Sequence, residues 1–370
     1  MGMGNTIGGF STAATSGQGA RGQVLAAATQ ARDRLDALTR QASTGRIADG
    51  FAGLGTGAAA SLALRAETAR IAGWQANIDA AAGRMDVARA ALDRIGAIAA
   101  DFRARTADLN GLSAGTVDSV AARARDALVE VAGLLNEKHG DIHVFAGQDA
   151  SSPPVPQAAA ILSSGFATEI ATAVSGLATS GAAVTIAATL ATATSNAAGT
   201  SPFSPTLSQP AATVNALAAT VPVGDGQRIA TGVIASANAE ATSAGTTTTG
   251  SYMRDILRGL ATLGALDGSQ AGTADFAALV QDVRAGLEGA VTALSIDAGV
   301  LGDRQAALQD RRDRLDATAT ALSKGIAAAE DVDMAETLSA LSLAQTKLQA
   351  SYQLLAGLPA LSLVRFLPSG

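Results

Sequence analysis

The sequence predicts a mainly α protein: a long antiparallel coiled-coil helical bundle formed by its N- and C-terminal segments, with a small β-containing central insert. Three observations predict it. Seven of the nine prolines lie between Pro153 and Pro222, and none falls in residues 1–152 or 223–358. Proline removes a backbone donor and clashes with the preceding turn, so both flanks are free to be helical. Charge divides the chain in the same way, because residues 151–250 carry only Glu169, Asp225, Arg228 and Glu240. Both flanks also place apolar residues alternately three and four apart, the stripe of a helix packed on other helices.

The elements follow in order. A first helix is expected over about residues 24–44, with Leu35 and Leu38 inward. A second has the seam Ile71, Trp74, Ile78, Ala81, Met85, Ala88, Leu92, Ile95, Ala99 and Phe102. After "LNGLSAG" a third carries Val117, Val120, Ala124, Ala127, Val131 and Leu134. In the insert, "AAVTIAATLATATS" is rich in threonine and β-branched residues, and "VPVGDGQRIATGVIASA" alternates around a Gly-Asp-Gly turn. Both predict short strands. "GTTTTGS" reads as a loop leading into a helix that begins near Tyr252.

The C-terminal flank repeats the theme. Leu301, Leu308, Leu315 and Leu322 are spaced by seven, with charges between them for a solvated face. Gly325 interrupts, and "AAAEDVDMAE" supplies acids for a new helix start. Leu338, Leu341, Gln345, Leu348, Tyr352 and Leu355 form another seam, which Pro359 ends. A striped helix must cover its stripe. Residues 71–109, 117–137 and 275–324 are therefore expected in one bundle, and 24–44 with 333–357 in a second. The expected domains are a terminal coiled coil (1–45 and 330–370), a helical bundle (46–150 and 251–329) and a variable insert (151–250).

Composition narrows the function. Hydrophobic residues reach 48% but aromatics only 3%, so the core is built of small side chains and its packing must be extensive or shared with other chains. Cysteine is absent, which excludes disulfides, thiolate metal sites and cysteine catalysis. A net charge of −6 with no basic block argues against a nucleic-acid partner. No run of eighteen apolar residues is free of polar breaks, so no membrane span is expected. The N-terminus has no basic segment followed by an apolar one, so no secretory signal peptide is read.

Four patterns invite a chemical reading, and each is better explained structurally. His139 and His143 stand at zinc-binding helical spacing, but Gly140 breaks a helix there and no third ligand is near. Gly111–Gly115 fits G-x-S-x-G, yet a helix, not the required strand, precedes it. Gly53, Gly55 and Gly57 precede a helix without the strand or acidic partner of a phosphate-binding unit, so they read as a close-packed loop. "AEDVDMAE" lacks the glycine and ligand order of a calcium loop. The lone Trp74 lies on a seam and reads as core. No metal, cofactor or catalytic set is expected.

Three segments resemble a known family. "LTRQASTGRIADGFAGLGTGAAASLALRAE" is similar to the N-terminal signature of bacterial flagellins, with its turn at Ser43, Thr44, Gly45, Arg46 and Ile47. "EDVDMAETLSALSLAQTKLQASYQLLAGLPALSLVRFL", ending at Phe366 and Leu367, resembles the C-terminal signature shared by flagellins and hook–filament junction proteins. "HVFAGQDASSPPV", with Ala146 among its motif residues, resembles a junction-protein segment in which Ile142, Val144 and Phe145 form a short strand and Gly147, Pro153 and Pro154 the turn. The resemblance covers roughly residues 24–150 and 250–367. It implies a non-enzymatic axial protein of the bacterial flagellum, exported unfolded through the flagellar type III apparatus and located outside the cell. Its implied partners are copies of itself, hook-associated proteins, flagellin and an export chaperone on the C-terminal helix. Junction protein is the closest branch. Filament flagellin and a non-flagellar coiled-coil surface scaffold stay open beside it.

Overall fold

A computed structural model describes residues 12–109 and 113–357. Its elements in chain order are α1 (Thr12–Thr44), α2 (Gly57–Asp108), α3 (Ala114–Leu134), β1 (Lys138–His139), β2 (Ile142–His143), α4 (Gly165–Ser175), α5 (Leu177–Thr194), α6 (Ala211–Asn215), β3 (Thr220–Gly224), β4 (Gln227–Ala230), α7 (Tyr252–Gly264), α8 (Ala274–Glu330) and α9 (Met334–Gly357). Long helices dominate, and the two sheets are antiparallel pairs, β1 with β2 and β3 with β4. The fold is thus the expected mainly α bundle with a small β component. The described residues form two compact units, one from residues 12–70 with 317–357 and one within 71–316.

In the larger unit α2 and α8 run antiparallel, and their polar contacts advance in step. Gln75 meets Asp316 at 2.5 Å, Arg312 meets Asp79 at 2.6 Å, and Gln305 meets Asp86 at 2.7 Å. Beneath these rim contacts Ile71, Ile78, Met85, Leu92, Ile95 and Phe102 of α2 are buried, as are Leu301, Leu308 and Leu315 of α8 and Val131 of α3. Trp74 and Leu134 are half-buried.

All of α7 is buried, including Arg254, Asp255 and Arg258. It is wrapped by α3, α4 and α5. Close approach explains two of its glycines. A Cβ on Gly259 would lie 3.0 Å from Leu287 Cδ2, and one on Gly264 would lie 3.0 Å from Arg125 Cγ.

The insert corrects one expectation and keeps another. "AAVTIAATLATATS" is not a strand; it is the body of α5. Thr185, Thr189 and Thr192 are buried at helical spacing, and the hydroxyls of Thr185 and Thr189 donate back to the Gly181 and Ile186 carbonyls. Alanine favours the helix, and back-bonding lets a threonine face be buried. Threonine content had outweighed period. "VPVGDGQRIA" does form the β3–β4 hairpin, with Gly226 at φ 67 in its turn.

Two windows, 158–175 and 177–194, are apolar enough by length and composition to cross a membrane, although neither is an unbroken apolar run. Neither is a continuous α-helix. Ser164 is extended within the first, and Gly181 adopts φ 79, ψ 164 within the second. A lipid-exposed span must satisfy every backbone group internally, and these breaks do not.

Candidate functional site

The terminal unit is organised around one carboxylate. Glu330, the last residue of α8, has a side chain only 6% exposed. Its Oε1 accepts from Ser61 Oγ at 2.5 Å and Arg65 Nε at 2.8 Å. Its Oε2 accepts from Arg65 Nη2 at 2.7 Å and Arg46 Nη2 at 2.9 Å. The Arg65 hydrogen bonds, then that of Ser61, hold the carboxyl down at about 2 against the opposing effect of desolvation. Arg65 is correspondingly raised by Glu330.

Backbone bonds complete this junction. Ile47 N donates to Glu330 O at 2.7 Å, and Val332 N donates to Gly45 O at 2.9 Å. Gly45 stands at φ 71, a left-handed conformation that favours glycine, and Gln41 Nε2 donates to Ile47 O. On the other strand Asp333 caps α9, its Oδ1 accepting from Ala335 N and Glu336 N. The Ser43–Ile47 turn and the "EDVD" segment therefore form one latch. The end of α1 meets the start of α9, and the two helices pack antiparallel from there. Gly57 belongs to the same joint: a Cβ there would lie 3.3 Å from the Ala329 carbonyl oxygen.

Along α1, Ala28 and Leu38 are buried and Leu35 is half-buried. On α9 the register differs from the expected seam by one residue in every other step. The covered face is Thr337, Leu341, Ala344, Leu348, Ser351 and Leu355. Leu338 and Tyr352, expected inward, are 52% and 51% exposed. The cause is that α9 has apolar side chains on several faces, so a three-four spacing can be drawn along more than one of them. Leu343 and Leu354, 56% and 65% exposed, lie on yet another face. Leu322, on the α8 segment of this unit, is half-buried.

In the larger unit the "HVFAG…PP" segment is an anchor between α3 and the insert. Phe145, Ala146 and Pro154 are buried, and Pro153 is half-buried. Asn136 brackets Val155, its Nδ2 donating to the Val155 carbonyl and its Oδ1 accepting from the Val155 amide, both at 2.8 Å. Phe145 O accepts from Ala235 N, and Gly147 (φ 63) passes so near Leu217 O that a Cβ would lie 2.6 Å away. The short strand is Ile142–His143, and His143 Nδ1 is 2.8 Å from Asn136 O. Ser113 stands just before α3, with Oγ 3.1 Å from Thr116 Oγ1. Among the described residues no group of three or more His, Asp or Glu is placed to hold a metal ion. Residues 110–112, Pro359, Phe366 and Leu367 lie outside the described residues.

Sequence reasoning missed Ser61, Arg65 and Glu330, and also the arginines of α7. Arg258 Nη2 pairs with Asp282 Oδ2 at 2.5 Å, its Nη1 donates to Thr247 O at 2.7 Å, and its Nε to Thr189 Oγ1. Arg254 ties α5 to the loop before α7 through Ala193 O, Ser195 O, Asn196 Oδ1 and Ser236 O. The available signal was the pair Arg254 and Arg258, four apart in a largely apolar segment beside an insert almost without charge.

The described terminal helices latch together around a polar joint, while apolar side chains on other faces of α9 stay open. Residues 285–367 match the family model for the bacterial flagellin C-terminal helical region. That match runs through most of α8, the Glu330 joint and α9, and it supports the bacterial flagellin family. No curated protein matches the chain.

Proposed function

We propose that the chain is a structural subunit of the bacterial flagellum that polymerises through its terminal helices, and that its place is the hook–filament junction. The observation that carries the assembly reading is α9. One face is covered by α1, while Leu338, Leu343, Tyr352 and Leu354 remain more than half exposed on others. Apolar side chains on several faces of a surface helix mark a surface for other chains. The family match over 285–367 supports the flagellar setting. The anchored "VFAG…PP" segment favours the junction branch, while the match to a flagellin region keeps the filament reading beside it. The unfolded export, the extracellular location, the partnership with hook-associated proteins and flagellin, and a chaperone on α9 rest on the same resemblance. No catalytic step is assigned.

Deletion of the gene in its own bacterium, followed by electron microscopy of cells and medium, tests this. Hooks on the cell with filaments shed into the medium identify a junction protein. Loss of the filament subunit itself identifies a flagellin. Intact filaments and normal motility in a strain with no second copy of the gene refute both.

A further inference from the structure

A polar cleft of about 400 Å³ opens in the insert, between the end of α5, α6 and the loop before α7. This lies in the lower part of the ~300–1,000 Å³ range of small-molecule sites. Asn196, Asn215, Ser236, Asn238, Ser251 and Arg254 are among its lining residues. Two of these are incompletely satisfied. Ser251 is 7% exposed, and its hydroxyl has no hydrogen-bond partner. Buried hydroxyls are ordinarily paired, so an unpaired one calls for an explanation.

The second is Arg254. A guanidinium has five N–H donors. Four bonds engage Nε, both hydrogens of Nη1 and one of Nη2, which leaves one Nη2 hydrogen. Among the described residues Arg254 forms no ion pair, and the neighbouring buried Asp255 offsets its charge only from a distance. The adjacent Asp255 carboxylate is taken by Thr248 Oγ1 and Thr249 N. Phe203 lies under the guanidinium, 5.1 Å from its ring centre, and holds it in place. Glu240, the acidic lining residue, is bound by Arg304 at 2.7 Å. The other buried arginine of α7 is matched: Arg258, one helical turn on, has Asp282. A buried guanidinium with a donor to spare and no carboxylate in direct contact favours an anion that reaches it.

We propose that this cleft binds a small hydroxy-carboxylate of sugar-acid size, its carboxylate on Arg254 and a hydroxyl on Ser251. The amides of Asn196 and Asn215 offer further hydrogen-bonding groups to its hydroxyls. This goes beyond the assembly role and does not depend on it.

Isothermal titration calorimetry on the full chain, with glucuronate, glucose and acetate as probes, tests it. Glucuronate is expected to bind, with glucose and acetate each at least about tenfold weaker. Ser251→Ala is expected to weaken glucuronate roughly five- to tenfold while leaving the thermal midpoint unchanged or higher, because the hydroxyl supports nothing in the fold. Arg254→Lys, which keeps charge but loses the fork, is expected to weaken glucuronate and leave glucose unaffected. No heat from glucuronate up to ~10 mM overturns the proposal. So does equal binding of glucose, equal binding of acetate, or an unchanged affinity in a folded Ser251→Ala protein.

Discussion

The Arg258–Asp282 pair offers the sharpest quantitative test of how the insert is held. Both side chains are nearly inaccessible, at 4% and 8% exposed, and the pair links α7 to α8. Asp282→Ala removes the anion and leaves the cation buried. Breaking a buried pair in this way costs about 3–5 kcal/mol. Arg258 would keep the Thr247 carbonyl at 2.7 Å and Thr189 Oγ1 at 3.2 Å, which places the expectation at the low end, about 3 kcal/mol. Thr247 Oγ1, which also donates to Asp282, loses its acceptor as well. For a unit of this size each kcal/mol moves the midpoint by about 2–4 °C, so a fall of roughly 6–12 °C is expected. Thermal unfolding followed by circular dichroism, with urea titration for the free energy, measures it. The double variant Arg258→Met with Asp282→Leu removes both charges and is expected to recover most of the loss. A shift below about 2 °C for the single variant, or a double variant as unstable as the single one, refutes the view that an uncompensated charge is what matters.

Acid should loosen the terminal latch. The folded Glu330 carboxyl titrates at about 2, below its ordinary 4.5, so its contribution is complete above about pH 4.5 and is lost as pH falls towards 2. Hydrogen exchange at the α1–α9 joint across that window should show it, and Glu330→Gln should flatten the response. Gly45→Ala meets no steric obstacle but must keep φ near 71, so a loss of about 1–2 kcal/mol is expected, read as faster exchange at Ile47 and Val332. Gly289→Ala would set a Cβ 2.2 Å from the Ala244 carbonyl oxygen, and a cost of about 1–3 kcal/mol is expected in urea titration. Leu343→Asp and Leu354→Asp should leave the monomer's thermal midpoint within about 1 °C yet abolish assembly in a polymerisation assay, because neither side chain is covered within one chain.

The long helices were legible because their signal is periodic and repeated over many turns. Ile71 to Phe102 and Leu301 to Leu315 bury what their spacing says they bury. Two readings failed for different reasons. In α5 composition was weighed above period: Thr185, Thr189 and Thr192 already stood at helical intervals. On α9 the period was right but the face was not, since Thr337 and Leu338 each lead into a seam through Leu341 and only the partner helix decides between them. The Glu330 joint was illegible for a further reason. Ser61 and Arg65 stand more than 260 positions from Glu330 in sequence, and no local pattern announces a hydrogen bond between them. Half of the joint, Gly45 to Ile47, was visible only through resemblance.

The two units meet the burial problem differently, and this difference bears on assembly. Residues 71–316 enclose a helix on all sides and compensate a core of small side chains with buried, hydrogen-bonded charge. The terminal unit has no enclosed helix among its described residues; α1 covers one face of α9, and the polar joint sets the angle. Most helical stability in proteins comes from packing an apolar face rather than from propensity, so α9 depends on whatever covers the rest of it. Leu338, Leu343, Tyr352 and Leu354 are each about half exposed, and completing their burial would yield roughly 3–6 kcal/mol in all. Bringing two chains together costs about 4–15 kcal/mol in lost freedom. One neighbour on one face therefore falls short. Because these side chains point to different faces of α9, they are covered together only when several chains surround it, and a subunit built this way is held weakly by a single contact and firmly inside an array.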